Sequence, residues 1–290
     1  SFAVTGSKKN AVSTSENTSG NKIVEKTEDT TVYDLGDGEK MAVLHGSQVR
    51  YKNEQDNLVD YDPSLVEIKD GEKSEQGILL DGYAYKNRQG DKKQYIPEML
   101  SEEIPILMES KEYSIEVIPT DDTVKKAGIE TSVVKIEKEK VIDIYENDKA
   151  KELPIKAVYG TKDDDSIFSC TSGEHGIKQT IFLDEDSENN SFEYKIKSGG
   201  LEAKKNVTNE GIVFTEPDTE EIVAFIAPPL MTDASEEICS ENITYELHED
   251  MNEKGTYILV VTIAESYLND ETRKYPVVVD LDVIWADASR

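Results

Sequence analysis

The chain has 290 residues, 61 of them acidic and 32 basic, for a formal net charge of −29. Clustered lysine and arginine, which neutralise phosphates, are absent, and this excludes nucleic acid and an anionic membrane surface as natural partners. Hydrophobic residues are 37% of the chain, yet they fall in short patterned runs, which excludes a disordered chain and predicts a folded core.

Ser1 to Thr5 reads as a stub left by trimming or signal cleavage. Gly6 to Asn21 is rich in Ser, Thr, Asn and Lys with no apolar period. Residues 1–24 are therefore expected to form a flexible lead-in of the kind that follows an export signal. From about residue 30, runs rich in Val, Ile, Tyr, Phe and Thr alternate with polar turn residues, which predicts strands. Gly36-Asp37-Gly38 reads as a hairpin turn. Val49-Arg50-Tyr51 alternates, Asn53 to Asn57 turns the chain, and Leu58, Val59 and Tyr61 open the next strand. Ser101 to Met108 has a helical trace interrupted by Pro105. Tyr113 to Val117 alternates and stops at Ile118-Pro119.

Single helical turns are expected at Asp121 to Lys126, Asp148 to Glu152 and Glu265 to Asp270, each too short to stand alone. The stretch 120–143 reads as a strand pair or an extended connector. The polar, proline-ended segment 146–154 suggests a boundary, dividing the chain into β domains over 25–150 and 151–290. In Phe192 to Lys197 the apolar residues take one face and the charges the other, as a half-buried antiparallel strand requires. Ser198-Gly199-Gly200 ends it. Pro228-Pro229 lacks ladder donors and stops the strand 221–226. Asp233-Ala234-Ser235 turns the chain toward a strand over 242–247. Tyr257 to Ile263 and Val277 to Leu281 are apolar on both faces and read as central strands buried between layers. Tyr275-Pro276 opens the last strand, where proline is tolerated. The class is all-β: an antiparallel β-sandwich, as one large domain or two stacked ones, with little helix. No stretch reaches the roughly 18 apolar residues of a membrane span, so no membrane insertion is expected.

Chemistry is sparse. His45, His175 and His248 are the only histidines, and none lies in a motif with a serine or cysteine nucleophile. No G-x-S-x-G elbow, P-loop or G-x-G-x-x-G run occurs. A glycosidase needs two carboxylates across a cleft, which 61 acids can supply by chance. Such clefts also carry stacked aromatics, and Trp285 is the only tryptophan. Asp163-Asp164-Asp165 and Asp184-Glu185-Asp186 offer hard oxygen ligands suited to calcium, without the loop pattern of an EF-hand. Solvated hairpin tips are the preferred reading of both, and no other cofactor is expected. Asn17, Asn189, Asn206 and Asn242 head glycosylation triplets. Cys170 and Cys239 could pair in an exported chain or stay free.

Four ordered pieces of the second half are similar to a known family. They are Ile155 to Tyr159 leading to His175 to Ile181, beside the family's "NGIKE" turn, and Ser191 to Tyr194 followed by Gly200 to Ala203. Next comes Ile226 to Ala234, like "APYMYDA", with Thr244 to Leu247. The last is Tyr267 to Asp270 with Tyr275 to Asp280, like "WLND…YPVTIDPT". Val49 to Asp62 is a weaker echo of "VHYKDENGKWQDID". Together they resemble the N-terminal β region of bacterial cell-wall-associated YD-repeat proteins, the Rhs-like family, over about residues 30 to 281. Pro228-Pro229 departs from the family's Pro-aromatic pair and Leu281 from its proline. No YD repeat or toxin domain appears before Arg290.

The resemblance implies an exported, cell-wall-associated protein of Gram-positive type, with its repeats and effector elsewhere, and it carries over no catalytic residue. The expected function is a non-catalytic structural or adhesive module that packs against downstream repeats of the same polypeptide or a cell-wall component. The alternative is a carbohydrate-binding module using some of the 14 tyrosines, among them Tyr51, Tyr61, Tyr83, Tyr85, Tyr113, Tyr194, Tyr245 and Tyr257. The preferred reading of those eight is as core or cross-strand residues. A third reading is a glycosidase-type enzyme, whose sign would be a buried acid pair in a deep cleft.

Overall fold

The computed structural model describes residues 2–5, 22–36, 38–44, 48–129, 131–142, 150–160, 167–185, 189–208, 210–235 and 238–286. The described elements form an all-β sandwich with a small sheet at its N-terminal side. The first four strands are β1 (Phe2–Thr5), β2 (Lys22–Lys26), β3 (Thr30–Gly36) and β4 (Glu39–Leu44). They make an antiparallel sheet in the order β1-β4-β3-β2. Two strands thus lie inside the expected lead-in or at its border. The short strands β5 (Arg50–Lys52) and β6 (Leu58–Asp60) pair as a separate hairpin around the Asn53 to Asn57 turn.

The body begins with β7 (Asp62–Glu67), β8 (Tyr83–Gln89), β9 (Lys93–Pro97), β10 (Ile106–Glu109) and β11 (Ser114–Pro119). The helical turn α1 (Asp121–Lys126) follows, then β12 (Lys135–Ile142), β13 (Ala150–Tyr159), β14 (Ile167–Ser172), β15 (Gly176–Leu183) and β16 (Ser191–Lys197). Next come β17 (Glu202–Lys205), β18 (Ile212–Thr215), β19 (Ile222–Ile226), β20 (Leu230–Thr232) and β21 (Ile238–Cys239). The chain closes with β22 (Ile243–Glu249), β23 (Thr256–Ile263), the turn α2 (Glu265–Leu268) and β24 (Val277–Trp285).

One large sheet has eight strands in the order β22-β23-β16-β11-β10-β9-β8-β7. The other has ten: β12-β13-β14-β15-β24-β19-β18-β17, with β20 and β21 joined to it through β24. The inner faces of both supply one core. Ile115, Phe192, Tyr194, Ile196, Leu259 and Val261 come from the first sheet, and Phe168, Ile181, Phe214, Ile226, Leu281 and Val283 from the second. Polar side chains stitch the layers where they close. Tyr159 donates its hydroxyl to the Pro97 carbonyl at 2.6 Å, and Gln94 donates to the Gly173 carbonyl at 2.7 Å.

The eight-stranded sheet crosses residue 150, since β11 pairs with β16, and the core cluster runs from Leu65 to Trp285. The boundary expected between 25–150 and 151–290 therefore divides neither the hydrogen bonding nor the core, and β13 runs through the proline-ended segment. The helical turn expected at Asp148 to Glu152 is replaced from residue 150 onward by β13, because β12 pairs with Ala150, Lys151 and Glu152 as an antiparallel neighbour. The stretch 120–143 combines α1 with β12. The helical trace before Pro105 is a bend, and β10 starts after the proline.

The two runs read as buried on both faces are buried on one. Leu259, Val261 and Ile263 point inward while Ile258, Val260 and Thr262 are half-exposed, and β24 alternates in the same way along its length. Both strands are central in order, but among the described residues no third layer covers their outer face. No helix among the described residues is long and apolar enough to cross a membrane.

Candidate functional site

An open concavity lies at one corner of the sandwich, where the chain leaves the eight-stranded sheet after β16 and enters the ten-stranded sheet as β17. Two left-handed glycines make that crossing, Gly199 at φ +58° and Gly200 at φ +95°. A Cβ on Gly199 would sit 2.3 Å from the Ser114 carbonyl oxygen, so the close passage over β11 requires glycine. Ser198 is fully buried; its N–H donates to the Gly255 carbonyl at 3.0 Å, and its Oγ lies 2.5 Å from the Leu201 carbonyl. This ties the crossing to the β22–β23 turn.

The result is an open groove of about 870 Å³ between the edge strands β17 and β22, lined by Glu116, Lys197, Leu247, Glu249, Glu253 and Tyr257 among others. Two of its carboxylates meet one ammonium, and Lys204 pairs separately with Glu202 at 2.8 Å. Lys197 Nζ stands 3.9 Å from Glu116 and 3.2 Å from Glu253, and Lys195 reaches Glu253 at 2.8 Å. Partial burial holds the Glu116 carboxyl above the ordinary carboxylate range, against the pull of Lys197. The hydrogen bonds from Lys195 and Lys197 hold Glu253 below it. At the rim, the Tyr113 hydroxyl donates to Glu216, which pushes the Tyr113 phenol up to about 12.

The structure does not bring the residues singled out from sequence together. His175 bridges to the N-terminal side: its Nε2 donates to the Gln48 carbonyl at 2.6 Å, and its ring meets Tyr61 edge-on at 4.8 Å. His248 is exposed beside Glu246, and His45 lies outside the described residues. Trp285 is 3% exposed and packs in the core. Asp163 to Asp165, Asp186 and Asn17 lie outside the described residues. Among the described residues no three His, Cys, Asp or Glu side chains gather as a metal site. Every described tyrosine is buried or half-buried. The Tyr51–Tyr61 and Tyr83–Tyr95 ring planes meet at 37° and 72°, so neither pair makes a flat stacking platform.

Cys170 and Cys239 are both free, the first buried and the second half-buried. The candidate disulfide is not formed. Strands β15, β24 and β20 stand between β14 and β21; four steps of about 4.8 Å far exceed disulfide reach. Burial pushes the Cys170 thiol well above its usual range.

The groove was missed in the sequence because its Glu and Lys residues read as solvated faces of separate strands. The one local signal was Ser198-Gly199-Gly200, taken as a strand end and in fact the point of sheet crossing. Two buried ionic groups also went unnoticed. Arg50 donates to Asp60, to Thr31 Oγ1 and to the carbonyls of Thr27 and Thr30, all within 2.6–3.0 Å. Glu109, with no exposed surface, accepts from Ser74 Oγ at 2.9 Å. Compared with models of known families, with curated proteins and with solved structures, the chain matches none.

Proposed function

We propose that the chain is a non-catalytic structural or adhesive module of a secreted or cell-surface bacterial protein, packing against neighbouring repeats or a cell-wall component. The supporting observation is the groove's ion network, in which Lys197 reaches both Glu116 and Glu253 and Lys195 shares Glu253. Such a network shapes and orients a surface. Sedimentation with purified Gram-positive cell walls tests the reading. A large bound fraction at low salt, falling as salt screens the acidic surface, is the expected result. A protein left wholly in the supernatant, and failing also to bind YD-repeat segments, would remove the proposal.

One observation favours the glycosidase reading. Glu116 and Glu253 are shifted in opposite directions, and both touch Lys197, so their oxygens are at most about 7 Å apart, within the range of acid pairs in glycosidases. Lys197 stands between them, however, where a sugar would have to lie. Release of reducing ends from cell-wall glycan, abolished by Glu116→Gln, would establish the enzyme reading; no release is expected.

A further inference from the structure

The two strands that flank the groove are both sheet edges, β17 of the ten-stranded sheet and β22 of the eight-stranded one. The phase of hydrogen bonding along β22 follows from its ends. Ala264 N–H donates to the Asn242 carbonyl and Asp250 N–H to the Thr256 carbonyl, while Ile263 N–H turns the other way, to the Asn190 carbonyl. In an antiparallel pair the two kinds of position alternate. Thr244, Glu246 and His248 therefore bond to β23. The main-chain groups of Ile243, Tyr245, Leu247 and Glu249 point out from the sheet edge. Lys205 Nζ takes the Tyr245 carbonyl at 2.9 Å. Of the other three, Leu247 and Glu249 line the groove.

Exposed edges invite pairing, and folded proteins blunt them. Four other edge strands are blunted. Strand β12 carries Lys135, Glu137, Lys138, Glu139 and Lys140 and a register shift. Strand β2 has charged ends and a bulge. On β17 the Ala203 N–H is taken by the Tyr257 hydroxyl at 3.1 Å. Strand β7 holds Pro63 and a register shift. On β22 neither proline nor bulge occurs.

We infer that β22 accepts an extended basic polypeptide segment as an added strand, its main chain bonding to Leu247 and Glu249 in the groove. The inference deepens the module reading, from which it takes only that the partner is a polypeptide. Charge complementarity names the partner's chemistry. Glu249 on one face of β22 and Glu246 on the other meet alternate side chains of an added strand, while the rest of the groove holds Glu116, Glu202 and Glu253 beside Lys197, Lys204 and Lys254. Basic residues on either face of the incoming segment therefore meet a carboxylate. A second copy of β22 would set these acids against their own kind, and like charges opposed across strands destabilise pairing.

The test uses the whole chain and a capped octapeptide alternating lysine and threonine, with an alternating glutamate and threonine octapeptide as its counterpart. The expected result is that the basic peptide shifts the backbone amide resonances of Leu247 and Glu249 and slows their exchange with solvent, and the acidic one does not. Glu249→Pro removes one edge N–H without touching the β23 ladder, and it should weaken binding about tenfold. Glu249→Ala keeps that N–H and should weaken it less. Should Glu249→Pro fail to fold, the wild-type amide shifts decide alone. Shifts elsewhere, or none up to millimolar peptide, overturn the inference. Cell-wall sedimentation in parallel separates the two readings: walls bound without peptide shifts sinks strand addition alone, and neither sinks both.

Discussion

A carboxylate with no exposed surface needs a reason to be buried. Glu109 follows Ile106, Leu107 and Met108, and in sequence it reads as the charged end of an apolar run. The segment 69–82 makes the difference by folding over the outer face of β8 to β10. There Ser74 Oγ donates to one carboxylate oxygen, the Gln76 N–H approaches the other at 3.4 Å, and Gln76 Nε2 donates to the Ser110 carbonyl. Leu80, Tyr95 and Leu107 pack beneath it.

Burial raises the Glu109 carboxyl above the usual range, and the accepted hydrogen bonds only partly offset this. The folded chain thus holds this proton more tightly than the unfolded one. Its contribution is fully present below the ordinary carboxylate value near 4.3 and is lost as pH rises through the raised value. Glu109→Gln removes the titration, so the stability of wild type relative to this variant should increase from pH 7 to pH 5 in urea unfolding. Glu109→Ala leaves the Ser74 hydroxyl without its acceptor and should cost about 2 kcal/mol at pH 7. A pH-independent difference between wild type and Glu109→Gln would refute the assignment. Nothing local in the sequence marks this residue, because its partners lie in a separate segment.

At the scale of elements, period-two alternation is a local property, and it was legible. Phe192 to Lys197 alternates as read, Asn53 to Asn57 turns one hairpin, and Pro228-Pro229 ends β19. The turns α1 and α2 lie within the segments expected to make single helical turns, Asp121 to Lys126 and Glu265 to Asp270; Thr120 accepts from the Thr123 N–H at 3.3 Å at the start of α1. Sheet order is non-local, and so it was not legible. Nothing within β16 states that β11 and β23 flank it, and without that order the groove has no walls.

The Gly199-Gly200 crossing carries the contrast into a measurement. Both glycines have positive φ, but a Cβ on Gly200 meets nothing within 4 Å while one on Gly199 meets the Ser114 backbone. Gly200→Ala should lose only backbone strain, about 1 kcal/mol. Gly199→Ala should lose that and also displace β11 or the crossing, for about 2–3 kcal/mol in all. Equal urea midpoints for the two variants would show that the crossing is not tightly packed.

The whole molecule has two main centres of packing that differ in size. Tyr33, Met41 and Val43 form the small core of the N-terminal sheet, separate from the sandwich core. Polar contacts span the interval. Arg50 at the start of β5 bonds to the β2–β3 turn, Gln48 bonds to Glu28 on one side, and the Gln48 carbonyl receives His175 from the sandwich on the other. Tyr61 leans on His175 and donates to Asp91 at 2.7 Å. A junction built this way, with little apolar area, should open before either core does.

Arg50 is only 6% exposed, and removing it takes away one donor each from the Thr27 and Thr30 carbonyls and from Thr31 Oγ1, together with the ion pair to Asp60. Arg50→Ala should therefore speed amide exchange across β2 to β4 at least tenfold. The only tryptophan, Trp285, lies in the sandwich core and reports on that unit alone. Its fluorescence midpoint in urea should stay close to wild type in the variant. A Trp285 transition that shifts together with exchange in β2 to β4 would mean that the small sheet and the sandwich unfold as one cooperative unit, with Arg50 serving both.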